Sequence, residues 1–461
     1  MNKALSLLLI FFSIGILLIP ISEINLRIIE LNLIGLYIYI LFYLYRIKKN
    51  LSILFIFLVS FGIFNLSKII ISLLYKEEWT RILFFKEYII NEKIQIEMIQ
   101  IVLIHLVGVF IGIILYNRKK RIKKMIKSDL NLKKICRFLM LISIIPLIYK
   151  YKVELEFIRN NGYLSLYNGV FINHQFPIWT KGWNILFTYS YYLYLASIPT
   201  EKEFKKYTLL FISLKLISAL KGGRTEFATD LLFLISYYTI LYKRKIRWKA
   251  LIIAGVGGGV FYFIGNLRAN NLTVSNIKLI EKIKNFILEQ GMSFYILSIN
   301  KEYLNEYSNP KLQIIAPFLD EIQRLKNPKL FLTQSLELLD KSYNLNYHLS
   351  YKYIPNEFLK GAGIGSNYLA EVYNFGGILF CGISGIILSY IILLLEDNLF
   401  KSRFTFYISI PIILNLFISP RGNFFPFLFR FYPYIIFYVF ILGIIKILKV
   451  IQKNNLEMRQ E

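Results

Sequence analysis

Several residue types that mark other protein classes are scarce in this chain of 461 residues. It has two cysteines and three histidines, and no CxxC or HExxH appears. Cys136 falls near a basic end of one apolar run and Cys381 lies inside another, so they read as packing residues, not as a disulfide or a metal pair. With only His105, His174 and His348 and neither motif, a dedicated transition-metal site is not expected and no cofactor is implied. Acidic residues number 28 against 55 lysines and arginines. The net charge of +27 would suggest nucleic acid in a soluble protein. Here the basic residues sit in short loops between apolar runs, a membrane signature, and nucleic acid is not an expected partner.

What is abundant is hydrocarbon. Hydrophobic residues make up 56% of the chain and the mean hydropathy is +0.52. They cluster in runs of roughly 16–25 residues, the length of helix that crosses about 30 Å of lipid. Alternating strands of the outer-membrane barrel kind are missing, so helices are the expected spanning element. The runs fall near 4–21, 31–45, 51–75, 97–116, 135–150, 183–198, 207–220, 227–242, 250–264, 370–395, 404–418 and 431–450. The expected fold is therefore an all-α polytopic membrane protein of about twelve spans, one integral membrane domain over 1–461, with membrane lipids as its surroundings. The first run lacks a small-residue cleavage site and is expected to stay as an anchor.

Charge sets the expected orientation. RIKKN (46–50), NRKKRIKKMIK (117–127), EKEFKK (201–206), KRKIRWK (243–249) and the loop with Lys401 and Arg403 all fall on one side if each run crosses once. That side is expected to be cytoplasmic, with both termini. The other side then carries 76–93, 152–182, 221–226, 419–423 and the large segment 265–368. Within that segment, SNIKLIEKIKNFILEQGMSFYILSI and PKLFLTQSLELLDK have helical spacing of apolar residues. They predict a helical external cap inserted between spans nine and ten.

Candidate chemistry lies at the external span ends. KGGRTEF supplies Lys221, Arg224 and Glu226; GNLRANN supplies Arg268; SPRGNFFPFLFRF supplies Arg421 and Arg430. These arginines sit on the side where arginine is disfavoured, which weakens simple snorkelling as their explanation. Several guanidinium groups at one depth suggest a common anion, since their fork matches phosphate oxygens. Arg224, Arg268 and Arg421 are expected to converge on it.

KGAGIGSNYLAEVYNFGG (360–377) enters the tenth run. Gly363 and Gly365 allow close backbone approach, and Ser366 and Asn367 add polar groups beside them. Glu371 lies about one turn into the apolar helix, with Asn374 at i+3 on the same face. An intramembrane carboxylate is a functional candidate, either as a base or as an arginine's partner. His348, in NLNYHLSYKYIP, is a further candidate base. The aromatics Tyr163, Tyr167 and Trp179 in the 152–182 loop read first as an interfacial belt. The residues by themselves also fit a transporter or flippase of lipid-linked oligosaccharides, although no two-half repeat is visible.

Taken together, KGGRTEF between two runs, GIGSNYLAEVYNFGG leading out of the large loop and the late SPRGNFFPFLFR resemble the Wzy-type O-antigen or oligosaccharide repeat-unit polymerases. The resemblance covers about 150–435. It implies a membrane glycosyltransferase of C-type architecture that joins undecaprenyl-diphosphate-linked glycan units outside the plasma membrane. It also implies a chain-length regulator protein as a partner. O-antigen ligases share the overall shape and are the enzymatic alternative. With no DxD in the chain, metal-assisted glycosyl transfer is not expected. Arginines would neutralise the leaving diphosphate, with Arg224, Arg268 and Glu371 as catalytic residues. Lys221, His348, Gly363, Gly365, Ser366, Asn367, Asn374, Arg421 and Arg430 would contact substrate.

The topology is testable by cysteine labelling in intact cells. Cysteines at Lys120 and Lys245 should be protected and one at Asn309 should label. Labelling of the first two from outside would overturn the orientation.

Overall fold

The computed structural model describes residues 3–75, 80–83, 86–117, 126–161, 177–220, 224–244, 279–425 and 431–457. Each apolar run within these residues is helical. The run near 250–264 lies outside them. Six helices are long and apolar enough to cross a membrane: Leu26–Lys48, Ile53–Tyr75, Glu92–Tyr116, Tyr368–Asn398, Arg403–Arg421 and Tyr432–Ile451. The helices Lys3–Leu18, Leu130–Asn161, Trp183–Ala196, Glu201–Leu220 and Arg224–Leu241 cover the other expected runs. The stretch 152–161, expected as part of a loop, instead continues the helix Leu130–Asn161.

The chain forms two compact units. The first comprises Met1–Lys120, Leu232–Glu396 and Asn415–Pro426. The second comprises Arg121–Leu231, Asp397–Leu414 and Phe427–Glu461.

The first unit is organised around two helices that cross at glycines. A Cβ on Gly108 would stand 2.0 Å from the Gly382 carbonyl oxygen, and one on Gly385 would stand 2.3 Å from the His105 carbonyl oxygen. Gly112 faces Ser389 and Ile386 just as closely. In lipid, helices gain little by burying apolar surface against each other, so such small-residue contacts hold them together. His105 lies at this crossing and is fully buried. One ring nitrogen meets the Tyr368 hydroxyl at 2.7 Å; the other faces the Cys381 carbonyl at 3.1 Å and the Ser384 hydroxyl at 3.3 Å. It is a core hydrogen-bonding residue. At the far end of Tyr368–Asn398, buried Glu396 pairs with Lys48 at 3.1 Å and accepts the Ile53 N–H at 2.8 Å. That contact caps the helix beginning at Ile53.

Two spans depart from regular helix where the site is built. Ile53–Tyr75 contains a π-helical turn at Gly62–Leu66. Tyr368–Asn398 breaks at Gly376 and Gly377, where Gly377 has φ +66° and ψ −162°. Only glycine adopts that conformation readily, so the pair separates a short leading helix from the long one.

The described part of the large segment is helical, as its pattern predicts: Leu279–Gln290, Met292–Tyr303, Ala316–Lys326, Leu336–Lys341, Leu345–Tyr353 and Pro355–Leu359. The 76–93 loop holds an antiparallel hairpin, Thr80–Leu83 with Lys86–Ile89, which its sequence does not announce. Tyr88 ties it down, donating to Glu302 at 2.8 Å and packing edge-on against Tyr353.

The glycine crossing predicts that Gly108→Val or Gly385→Val strongly lowers the amount of folded protein, because the added atoms meet backbone that cannot yield. Gly15→Val, where nothing lies within 4 Å, should be tolerated. Detergent-extracted, monodisperse protein measured by fluorescence size exclusion is the check.

Candidate functional site

The site in the first unit is built on the turn Ser419–Phe424, which follows the helix Arg403–Ile418. Ser419–Arg421 is a single 3-10 turn, closed by Gly422 N–H donating to the Ser419 carbonyl at 2.9 Å. Such a short element has little stability of its own, and three other elements hold it in place.

The π-helical turn supplies the first contact. The Asn65 amide donates to the Pro420 carbonyl at 3.3 Å, and the Phe64 ring lies 5.8 Å from the Arg421 guanidinium. A π-turn widens the helix by one residue and re-aims its side chains, which is a common device at functional sites. The helix Leu279–Gln290 supplies the second contact: Gln290 Oε1 accepts from Arg421 Nη1 at 3.2 Å. The short helix opening Tyr368–Asn398 supplies the third. Glu371 accepts from Asn423 Nδ2 at 2.6 Å on Oε1 and from the Phe424 N–H at 2.8 Å on Oε2. Ser366 adds a hydroxyl to Oε1 at 3.3 Å.

Arg421 is exposed, whereas Glu371 is 0% exposed. Among the described residues no carboxylate forms an ion pair with Arg421. Glu289 acts on it only through space. A guanidinium carries five N–H donors in a rigid fork, and Gln290 engages one edge of it. The rest of the fork has no hydrogen-bond partner among the described residues, and such a fork suits a phosphate oxygen.

Of the other expected site residues of this unit, Asn367 and Asn374 hold the short helix that grips the turn, and Gly363, Gly365 and His348 make their contacts elsewhere. Asn367 is fully buried; its amide donates to Asn65 at 2.7 Å and to the Ser293 carbonyl at 2.8 Å, and its oxygen accepts the Leu369 N–H at 2.9 Å. Asn374 exchanges amide bonds with Asn300 at 2.9 Å in each direction and donates to Gln313 at 2.5 Å. Gly365 has φ +90°, which requires glycine, and Gly363 is exposed beside Asn346 and Ser350. The Ile364 N–H between them is taken by the Ser350 hydroxyl at 3.0 Å. The half-buried His348 donates from Nε2 to the Ser342 carbonyl at 2.6 Å.

A second frame of contacts runs through residues that carry no motif. Asn423 also reaches Asn344 Oδ1 at 3.4 Å, and Asn344 donates in turn to Asp320 at 3.2 Å. Burial raises the Asp320 carboxyl above its ordinary value, and the bonds from Ser342 and Asn344 oppose that shift. The available signal for Asn344 is an Asx cap ahead of a helical run, and its oxygen does accept the Asn346 N–H at 3.1 Å.

The second unit holds Arg224, half-buried at the start of the helix Arg224–Leu241. Lys221, Arg268 and Arg430 lie outside the described residues. Near Arg224 in sequence, two ionisable residues that the apolar-run reading skips form a buried pair. Lys215 Nζ stands 3.3 Å from Asp230 Oδ2, and both side chains are enclosed. The Tyr192 hydroxyl donates to the other Asp230 oxygen. The exposed Glu226 lies 3.9 Å from Lys215 on its other side. A lysine or aspartate within an apolar run is the available signal.

The family comparison gives this architecture its context. The model of the family O-antigen polysaccharide polymerase Wzy matches residues 1–455. The chain belongs to that family. Comparison with curated proteins and with solved structures returns no match. The family and the apolar helices together make it a multi-pass membrane protein of polysaccharide biosynthesis that acts on lipid-linked oligosaccharide repeat units.

The buried pair predicts an asymmetry between its two halves. Lys215→Met leaves a buried carboxylate with only Tyr192 as donor and should cost about 3–5 kcal/mol. Asp230→Asn leaves Lys215 within reach of Glu226 and should cost less, about 1–3 kcal/mol. Thermal unfolding in detergent is the measurement, and a larger loss from Asp230→Asn would contradict the pairing.

Proposed function

We propose that this chain is the glycosyltransferase that joins undecaprenyl-diphosphate-linked repeat units on the external face of the plasma membrane, with Arg421 as a clamp on the leaving diphosphate. The observation that carries the reading is an arginine held rigidly at the end of an apolar helix, exposed, and without a carboxylate partner among the described residues. A cation at that depth is costly unless something anionic meets it. The diphosphate of a lipid carrier lies at the same depth as its headgroup.

In the reaction, a hydroxyl oxygen of the acceptor unit forms a bond to the anomeric carbon of the donor glycan. The bond from that carbon to the carrier diphosphate breaks, and the diphosphate leaves with the electron pair. The acceptor proton passes to solvent or to a phosphate oxygen. Negative charge grows on the diphosphate as its bond breaks, so a preorganised guanidinium stabilises the transition state more than the ground state. Diphosphate is a good leaving group, and positioning of the two glycans supplies much of the remaining acceleration. No metal is assigned a role. Arg224 and Arg268 are further candidates for charge neutralisation, and Lys221 and Arg430 for substrate contact, each to be tested by its own substitution.

The reading includes about twelve spans with both termini cytoplasmic, the segment 265–368 as an external cap, a C-type architecture and a chain-length regulator as partner. Its support is the alternation of basic loops with apolar runs and the helical content of the segment. The transporter and ligase readings are separated by one experiment. Deletion of the gene should leave surface glycan one repeat long on a gel. Long polymer accumulating off the cell surface would indicate a ligase, and single units retained inside the cell a flippase.

At the residue level, Arg421→Gln should lower repeat-unit joining by about 10²–10³-fold, the usual cost of one preorganised donor. Protein level should hold, because the side chain is exposed. Arg421→Lys should recover little, since a point charge lacks the bidentate fork.

A further inference from the structure

We infer that Glu371 is a positioning residue for Arg421, acting through Asn423 and the Phe424 backbone. The inference rests on the reading of Arg421 as the diphosphate clamp. Glu371 has no contact with solvent, and both its oxygens already accept hydrogen bonds from protein. A general base must come within about 2.6–3.2 Å of the hydroxyl it deprotonates. This carboxylate is sealed behind the turn. What it does reach is the stretch immediately after Arg421, gripping it two and three residues further along the chain.

The turn is held at two points on opposite sides of Arg421. Asn65 fixes the Pro420 carbonyl before it, and Glu371 fixes Asn423 and Phe424 after it. Glu371 in turn is placed by a short helix whose own ends are fixed. Asn367 caps its start, and the break at Gly376 and Gly377 ends it. Asn374, one turn beyond Glu371, is tied to Asn300 and Gln313. The guanidinium therefore takes its position from the leading segment of a broken helix. A displacement of about 1 Å at a reacting group can cost on the order of 10²-fold in rate.

The chemistry of the grip makes the role separable from catalysis. Both Glu371 oxygens accept. In Glu371→Gln the side chain keeps one acceptor and places an NH₂ against a donor, either the Phe424 N–H or the Asn423 amide. A second change, Asn423→Asp, repairs the mismatch. The introduced amide then donates to the introduced carboxylate, while its oxygen keeps the Phe424 N–H. The repair restores the bond between positions 371 and 423 without returning a carboxylate to position 371, and it gives up only the long 3.4 Å contact from Asn423 to Asn344.

The test uses the full chain in proteoliposomes, with the undecaprenyl-diphosphate-linked repeat unit extracted from a strain that lacks the gene. Glu371→Gln should lower kcat about 10²-fold, and adding Asn423→Asp should restore at least about tenfold of it. In an Arg421→Gln background, Glu371→Gln should cost less than about twofold more, because the group it positions is gone. Failure of the double variant to recover, or full additivity with Arg421→Gln, overturns the inference. Should Glu371→Gln not fold, Asn423→Ala keeps the carboxylate and must show the same non-additivity with Arg421→Gln. If Arg421→Gln alone leaves transfer intact, the clamp reading falls and this role with it. If Arg421→Gln abolishes transfer while the Glu371 and Asn423 variants act independently of it, only the positioning role falls.

Discussion

A carboxylate enclosed by protein must be met by donors on both oxygens, because an unpaired buried charge costs several kcal/mol. Glu371 meets that demand with one backbone N–H and two side-chain donors, and two of the three belong to the turn that carries Arg421. The remaining polar groups nearby are arranged to make this possible. Asn65 turns inward from the π-helical segment, Asn367 caps the short helix, and Asn374 locks its far end to Asn300. Each of these side chains is buried, and the bonds each makes keep the next one in register.

That polar cluster sits among apolar helices of the first unit, and the glycine crossing helps to explain how its backbone is placed. The Glu92–Asn117 and Tyr368–Asn398 helices approach backbone to backbone at Gly108 and Gly385, while Gly112 and Gly382 make room for the side chains of Ser389 and Ile104. Close backbone packing fixes the long part of the second helix. The break at Gly376 and Gly377 then lets the leading part take its own direction. Irregular backbone at membrane depth persists only where protein covers it. Here the Met292–Tyr303 helix and the π-turn provide that cover, with Ser293 and Asn300 meeting the short helix directly.

How much of this is legible in the sequence depends on which atoms make each contact. The helices are legible because each apolar run has the length and spacing of a helix, and the described runs all form one. Glu371 stands out because a charge inside a run is costly. Its partners do not, because the expected partner is an arginine and the actual ones are a main-chain N–H, an asparagine and a serine. Backbone donors have no residue type to notice. Lys215 and Asp230 escape for the opposite reason: each lies in a run that reads as a span, and their pairing across two helices gives no local pattern. Gly376 and Gly377 carry no reading in the sequence, yet Gly377 is a fixed break whose φ and ψ together only glycine adopts readily. The π-turn at Gly62–Leu66 has no sequence signature beyond a glycine beneath the Tyr37 hydroxyl.

Under the proposed role of Arg421, the anchoring of its turn has a physical reason beyond stability. A donor aimed at developing charge helps a reaction only if it need not reorganise when the charge appears. A guanidinium on a free loop would stabilise substrate and transition state by adjusting to each, which lowers KM without raising kcat. Anchoring the backbone on both sides of Arg421, and one edge of its fork on Gln290, removes that freedom before substrate arrives. The buried amides and carboxylate around the turn commit their hydrogen bonds inward, and apart from the bond to Gln290 the guanidinium of Arg421 has no hydrogen-bond partner among the described residues.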